Sequence, residues 1–300
     1  MTKRKIMLLC ACGLLLCIYI VQLTTALRSP IKNKTLNAEI DKIIIEHAGN
    51  TLVLTKSGDD WVAGEHEYPA NMHAVNAMVN AIKDVRILSS VDKAGHAAVD
   101  ERYEINTGSA IVVTAYEQDS LKRTLTVGKT SATGSQSYIL LDGGKDIYLA
   151  SGRLRDTFDK SVDDMRSKSV YALDSNALFS IAQTMGNETI AIKKSGEPAL
   201  WQTSDGTPSV DGEKAANWAN SLASLSVNAW LEDNFMLPAA PTSVTVIEAE
   251  NKLITVTVYM LDDGDEAHYY GTCSETPYKF EMSQYTAGKF MKTRAELYSE

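Results

Sequence analysis

Few residues of this chain stand at the separations that chemistry requires. Ser90 and Lys93 have the Ser-x-x-Lys spacing that, on one helical turn, lets an amine lower the proton affinity of a serine hydroxyl. No partner motif of the penicillin-binding class accompanies them, so they read as ordinary polar positions. Val127-Gly128-Lys129-Thr130 ends like a phosphate loop. Arg123 stands where such a loop has its first glycine, which removes the backbone cradle for phosphate and leaves a strand end and turn as the plainer reading. His47, His66, His73, His96 and His268 are scattered, with no pair at the i, i+4 spacing of a zinc helix. Asp262, Asp263, Asp265 and Glu266 are dense enough to attract calcium but lack the staggered loop that spaces oxygens around the ion, and read as a solvated hairpin tip. The sequence therefore assigns no catalytic residue, cofactor-binding residue or metal ligand.

Aromatic residues are the remaining candidates. Trp61 and Trp201 could form a stacking platform, but each more simply buries its ring beneath a helix, which is worth on the order of 2 to 3 kcal/mol. Trp218 lies on a helical stripe and reads as core. Trp230 and the Tyr269-Tyr270 pair are the choice for an exposed recognition surface, and His268 reads as a half-exposed strand position.

The elements that must position these residues follow from periodicity. Ile43 and Ile45, then Leu52 and Leu54, alternate around Ala48-Gly49-Asn50-Thr51, a hairpin pattern. Gly58-Asp59-Asp60 turns the chain into Trp61-Val62-Ala63. Pro69 and Asn71 stop the sheet and start a helix with Asn71 as N-cap, and Val75, Met78, Val79, Ile82 and Val85 form its apolar stripe. A polar connector then leads to Tyr103-Glu104-Ile105, strands at 110–114, 121–127, 138–141 and 147–150, and a closing helix carrying Leu154, Phe158, Val162 and Met165.

The second half can be laid over the first. Lys56-Ser57-Gly58, Trp61, Pro69 and Asn71 are answered by Lys194-Ser195-Gly196, Trp201, Pro208 and Asp211. Ile181, Ile190 and Ile192 stand where Ile43, Leu52 and Leu54 stood, at one constant offset. Ala215, Trp218, Ala219, Leu222 and Leu225 answer the first helical stripe. Phe235-Met236-Leu237 replays Tyr103-Glu104-Ile105, and strands follow at 244–247, 253–259, 269–272 and 278–282 before a helix through Phe290 and Leu297. The expected fold class is α+β: an N-terminal transmembrane helix followed by two similar sheet-plus-helix lobes, an internal duplication. The expected domains are an anchor or signal peptide over 1–27, a linker over 28–35, a first lobe over 36–170 and a second over 171–300.

The N-terminus argues for a membrane. Lys3, Arg4 and Lys5 precede an uncharged run from Ile6 to Leu27, about 33 Å long as a helix, enough to cross a bilayer. A signal peptide cleaved near Thr24-Thr25-Ala26 and a lipid attached at Cys12 are the alternatives. Arg28, Lys32 and Lys34 nearly balance the N-terminal cations, yet the short tail and long body favour an extracytoplasmic body at the cytoplasmic (inner) membrane. Three of the four cysteines lie in the apolar run, leaving Cys273 with no disulfide partner in the body. The net charge of −9, from 29 basic and 38 acidic residues, makes nucleic acid a poor partner.

The Gly58-x-x-Trp61 and Gly196-x-x-x-x-Trp201 steps into Pro-preceded helices, the Tyr103-x-Ile105 and Phe235-x-Leu237 segments, and Arg153 to Leu173 together resemble the bacterial domain-of-unknown-function 4340 family. The resemblance covers nearly the whole chain after the anchor and departs at Asn106, where the family more often has Gly-Leu and Pro. It implies a membrane-anchored extracytoplasmic protein accompanying a gliding-type or auxiliary ABC export system, and it brings no catalytic residues. The resulting expectation is a non-enzymatic accessory subunit that touches lipid through its N-terminal helix and binds envelope or ABC transporter proteins. The alternative is an envelope hydrolase, or a small-ligand-binding protein, using a groove between the lobes.

Overall fold

The structure is a computed structural model that describes residues 13, 15–19, 32–197, 199–204, 210–249, 252–262, 264 and 266–298. The chain divides into two compact units, Met1–Arg166 and Ser167–Glu300. In each, a hydrophobic core of its own lies between a large antiparallel sheet and a few short helices.

In the first unit, strands β1 (Lys32–Thr35), β2 (Lys42–His47), β3 (Asn50–Ser57), β4 (Asp60–Ala63) and β5 (Tyr68–Pro69) lead to helix α1 (Met72–Lys83). Next come β6 (Asp84–Lys93), α2 (Ala97–Arg102), β7 (Ile111–Glu117), β8 (Ser120–Thr130), β9 (Gln136–Leu141), β10 (Asp146–Ser151), α3 (Leu154–Phe158) and α4 (Val162–Met165). The ten strands form one sheet in the order β1-β6-β10-β9-β8-β7-β2-β3-β4-β5. Alternation sets the register: Ile43 opposes Leu54 and Ile45 opposes Leu52, so all four side chains share the buried face. Ala48 and Gly49 both take positive φ, as a two-residue hairpin turn requires. Pro69 lacks an N–H for the ladder and sits in the edge strand β5, where that costs least.

Asn71 caps α1, its side-chain oxygen accepting from the N–H groups of His73 and Ala74 at 3.1 and 3.3 Å. The helix ends at Lys83, short of Val85. Val85 and Ile87 are buried on alternate positions of β6, which pairs with β1 and β10 in the middle of what the sequence suggested was a polar connector. The helical stripe thus runs into a strand, because Val85 fits a period of three from Ile82 and a period of two with Ile87.

The second unit contains β11 (Ser169–Ala172), a 3-10 turn (Ser175–Ala177), β12 (Leu178–Met185), β13 (Glu188–Ser195), β14 (Leu200–Thr203), α5 (Gly212–Ser221), β15 (Ser224–Ser226) and β16 (Ala229–Trp230). It continues with β17 (Ser243–Ala249), β18 (Lys252–Asp262), β19 (Ala267–Cys273), β20 (Thr276–Met282), α6 (Gln284–Lys289) and α7 (Arg294–Leu297). Its eight-stranded sheet has the order β14-β13-β12-β17-β18-β19-β20-β16, and β11 pairs with β15. The stretch β4-β3-β2-β7-β8-β9-β10-β6 of the first sheet has that same connectivity. Asp211 caps α5, accepting from the N–H groups of Glu213 and Lys214. Trp201, Trp218, Phe280 and Phe290 anchor the second core, as Trp61, Met78, Phe158 and Met165 anchor the first.

The expected α+β class is corrected. The described chain is mostly β, built as three antiparallel sheets with helices of at most 12 residues laid over them. The helical signal in the sequence comes mainly from α1 and α5, while each closing helix breaks into two short pieces. No helix among the described residues is long and apolar enough to cross a membrane. Most of the expected span from Ile6 to Leu27 lies outside the described residues.

Candidate functional site

The residues singled out for chemistry are dispersed. Ser90 and Lys93 are both exposed on β6, and three residues of extended strand separate them by about 10 Å of backbone instead of one helical turn. Gly128 lies in β8, and the N–H of Lys129 donates to the carbonyl of Tyr103 at 3.0 Å, so that donor is committed to the fold and not to a phosphate. At the β18–β19 turn the Gly264 N–H donates to the Asp262 carboxylate at 2.9 Å, while Asp263 and Asp265 lie outside the described residues. Among the described residues no group of three or more His, Cys, Asp or Glu side chains is placed to hold a metal ion.

Of the proposed recognition aromatics, Trp230 is half-buried. Its indole N–H donates to the Ser167 carbonyl at 2.9 Å, and its ring meets Tyr278 and Phe280 edge-on. Tyr269 is buried and Tyr270 is half-buried against Phe235, with ring centroids 4.8 Å apart. These rings are occupied in packing. Trp61 and Trp201 are buried as expected, and the Lys194 ammonium lies 5.3 Å from the Trp201 ring.

Two clusters that the sequence did not reveal bring polar groups together. In the first unit, His47 at the end of β2 meets Asp159 and Arg155 around α3. Its Nδ1 is 2.8 Å from the Asp159 carboxylate, and its Nε2 is 3.3 Å from an Arg155 nitrogen. A guanidinium can only donate, so Nε2 accepts and Nδ1 carries the proton given to Asp159. Both ring nitrogens are thereby engaged. Arg155 also donates to the carbonyls of Ser109 and Gly128, at 3.0 and 3.3 Å, which ties α3 to the strands beneath it. This arrangement resembles the base-and-orienter half of a catalytic triad, but the nitrogen that would take a proton from a nucleophile is turned to a cation.

In the second unit a groove of about 580 Å³ runs between α5 and the α6–α7 pair. Asn217 and Lys214 line one wall, Tyr285, Gly288 and Lys289 the other, and Trp218, Met291 and Leu297 the floor. Local sequence explains the shape. Ala215, Trp218 and Ala219 turn one face of α5 to the core, which leaves Lys214 and Asn217 exposed on its outer side. Ala287 and Phe290 bury the inner face of α6, leaving Tyr285 79% exposed. The Trp218 indole N–H donates to the Lys289 carbonyl at 2.8 Å and fixes the end of α6 against α5. Gln183 holds the connector between α6 and α7 from β12, accepting from the Lys292 N–H and donating to the Lys292 carbonyl.

Charge in the groove is predominantly positive. The Glu296 carboxylate accepts from the Lys292 ammonium at 2.7 Å and from the N–H and hydroxyl of Thr293 at 2.8 Å. Partial burial pushes this carboxyl up, but the hydrogen bonds from Lys292 and Thr293 outweigh it and hold the group at about 2. Lys289 lies 5.2 Å from the Tyr285 ring centroid. Among the described residues neither Lys214 nor Lys289 has a carboxylate within ion-pair distance. A groove of this kind can hold a chain or ligand by charge and aromatic contact, and its described residues include no nucleophile paired with a base.

A family model described as a domain of unknown function (DUF4340) matches residues 61–243, from β4 of the first unit to the start of β17 in the second. No curated protein and no solved structure matches this chain.

Proposed function

We propose, from the premise that the chain belongs to the DUF4340 family, that it is a non-enzymatic extracytoplasmic accessory protein that binds a partner belonging to an ABC-type export or gliding-type system. The observation carrying this reading is the groove of the second unit, where an exposed tyrosine stands among lysines on rigid short helices over a packed floor. Exposed aromatic and cationic side chains on a fixed scaffold suit protein recognition. The uncharged run from Ile6 to Leu27 supports delivery to the outer side of the cytoplasmic membrane. The hydrolase alternative draws less support, because the imidazole best placed to act as a base has both nitrogens engaged.

Affinity capture of the tagged full-length chain from membranes in mild detergent tests the reading. Reproducible, stoichiometric recovery of a permease or ATPase subunit is expected. Repeated recovery of the chain alone would sink it.

A further inference from the structure

We infer that the groove between α5 and the α6–α7 pair receives an acidic segment of a partner protein, with Tyr285 packed against that segment and Lys214 and Lys289 facing its carboxylates. This rests on the accessory reading above and names the chemistry of the partner.

Three observations carry it. The first is charge. On a chain of net charge −9, two ammonium groups without a carboxylate partner among the described residues line a single groove. Among the described residues of the lining, Glu296 alone carries a carboxylate, and it is already taken by Lys292 and Thr293. Like charges held together across a concavity are compensated most readily by an acidic occupant.

The second is the seam itself. In the first unit α1 packs directly on α3. In the second unit α5 packs on α7 and is tied to the end of α6 by the Trp218–Lys289 hydrogen bond, and the groove lies open beside these contacts, where a Cβ added to Gly288 would meet nothing within 4 Å. The third is the exposed ring. Tyr285 leaves its ring outside every core while the Lys289 ammonium sits 5.2 Å from it, a pairing of aromatic and cation common where one protein anchors on another. A small anion would use the lysines but leave the exposed Tyr285 ring uncovered.

The open space at Gly288 gives a test that leaves the fold intact. Fluorescence anisotropy of the full-length chain with a short labelled peptide of alternating Glu and Leu should show binding that weakens with salt. A matching Lys and Leu peptide should not bind. Gly288→Phe, which plugs the groove, and the double charge reversal Lys214→Glu with Lys289→Glu should each weaken binding by about tenfold or more, with unchanged circular dichroism and melting temperature. Equal binding of both peptides, or indifference to the plug and to the reversal, would overturn the inference. So would groove-dependent binding of phosphatidylglycerol vesicles in place of the acidic peptide. The two proposals fail separately. Capture of transporter subunits that Gly288→Phe leaves undiminished rejects the groove and keeps the accessory role, whereas peptide binding with no captured subunit rejects the accessory role.

Discussion

Gly128 occupies a point where a side chain has no room. A Cβ there would collide with the Tyr103 carbonyl and stand 2.9 Å from the Ile105 side chain, because the Tyr103–Ile105 segment crosses directly over β8. Gly128→Ala is therefore expected to destabilise the first unit by about 2 to 4 kcal/mol, measured as a lowered urea midpoint at unchanged slope. The glycine that looked like part of a phosphate loop is a packing residue, and nothing in its neighbours along the chain could say so. Glu296 yields a second residue-scale prediction. Its carboxyl titrates at about 2 in the folded protein against an ordinary value of 4.5, so its stabilisation is complete above pH 4.5 and disappears as pH falls toward 2. The side chain is 46% exposed and its partner Lys292 is reachable by solvent, so screening limits the effect. Wild type should exceed Glu296→Gln by about 1 kcal/mol at neutral pH, the gap closing through that acid window in denaturation series.

At the scale of elements, the local signals that held were those whose physics is local. Asn71 and Asp211 announce helix starts because an N-cap satisfies donors only two and three residues away. Asp211→Ala should cost the second unit about 1 kcal/mol, and Asn71→Ala a similar amount in the first, read from thermal melts of each variant. The β2–β3 hairpin was legible for the same reason, since Ala48-Gly49 fixes the turn and alternation fixes the face. Among the elements that escaped are β1, which falls in the span expected as a linker over 28–35, α2, which falls in the expected polar connector, and β6. The outer positions of β6 are polar, Val85 continues the stripe of α1, and the strand exists because β1 and β10 lie on either side of it. Arg123 is another case. It lies on the buried face of β8, yet its guanidinium donates to the carbonyls of Lys34 and Ile82, at 2.7 and 2.9 Å, joining β1 to the last turn of α1. Those two acceptors are distant in sequence, and the residue reads as an interruption until the sheet is closed.

For the molecule as a whole, two separate cores predict two separable unfolding events. Phe158→Ala and Phe290→Ala each remove a fully buried ring, at a cost of about 3 to 5 kcal/mol. Differential scanning calorimetry should show each variant lowering one transition and sparing the other. A single transition shifted equally by both would show that the units unfold together. The sequence by itself determined the paired arrangement of strands and capped helices in each half, and the scarcity of catalytic spacings, because alternation, capping and turn chemistry act over a few residues. Only the tertiary structure decided that sheets dominate over helices, that Trp230 and Tyr269 are spent on packing, that His47 has both nitrogens engaged, and that Tyr285 stands exposed beside two lysines. Those outcomes depend on which residues distant in the chain fold against one another, and burial and charge pairing are set by those neighbours.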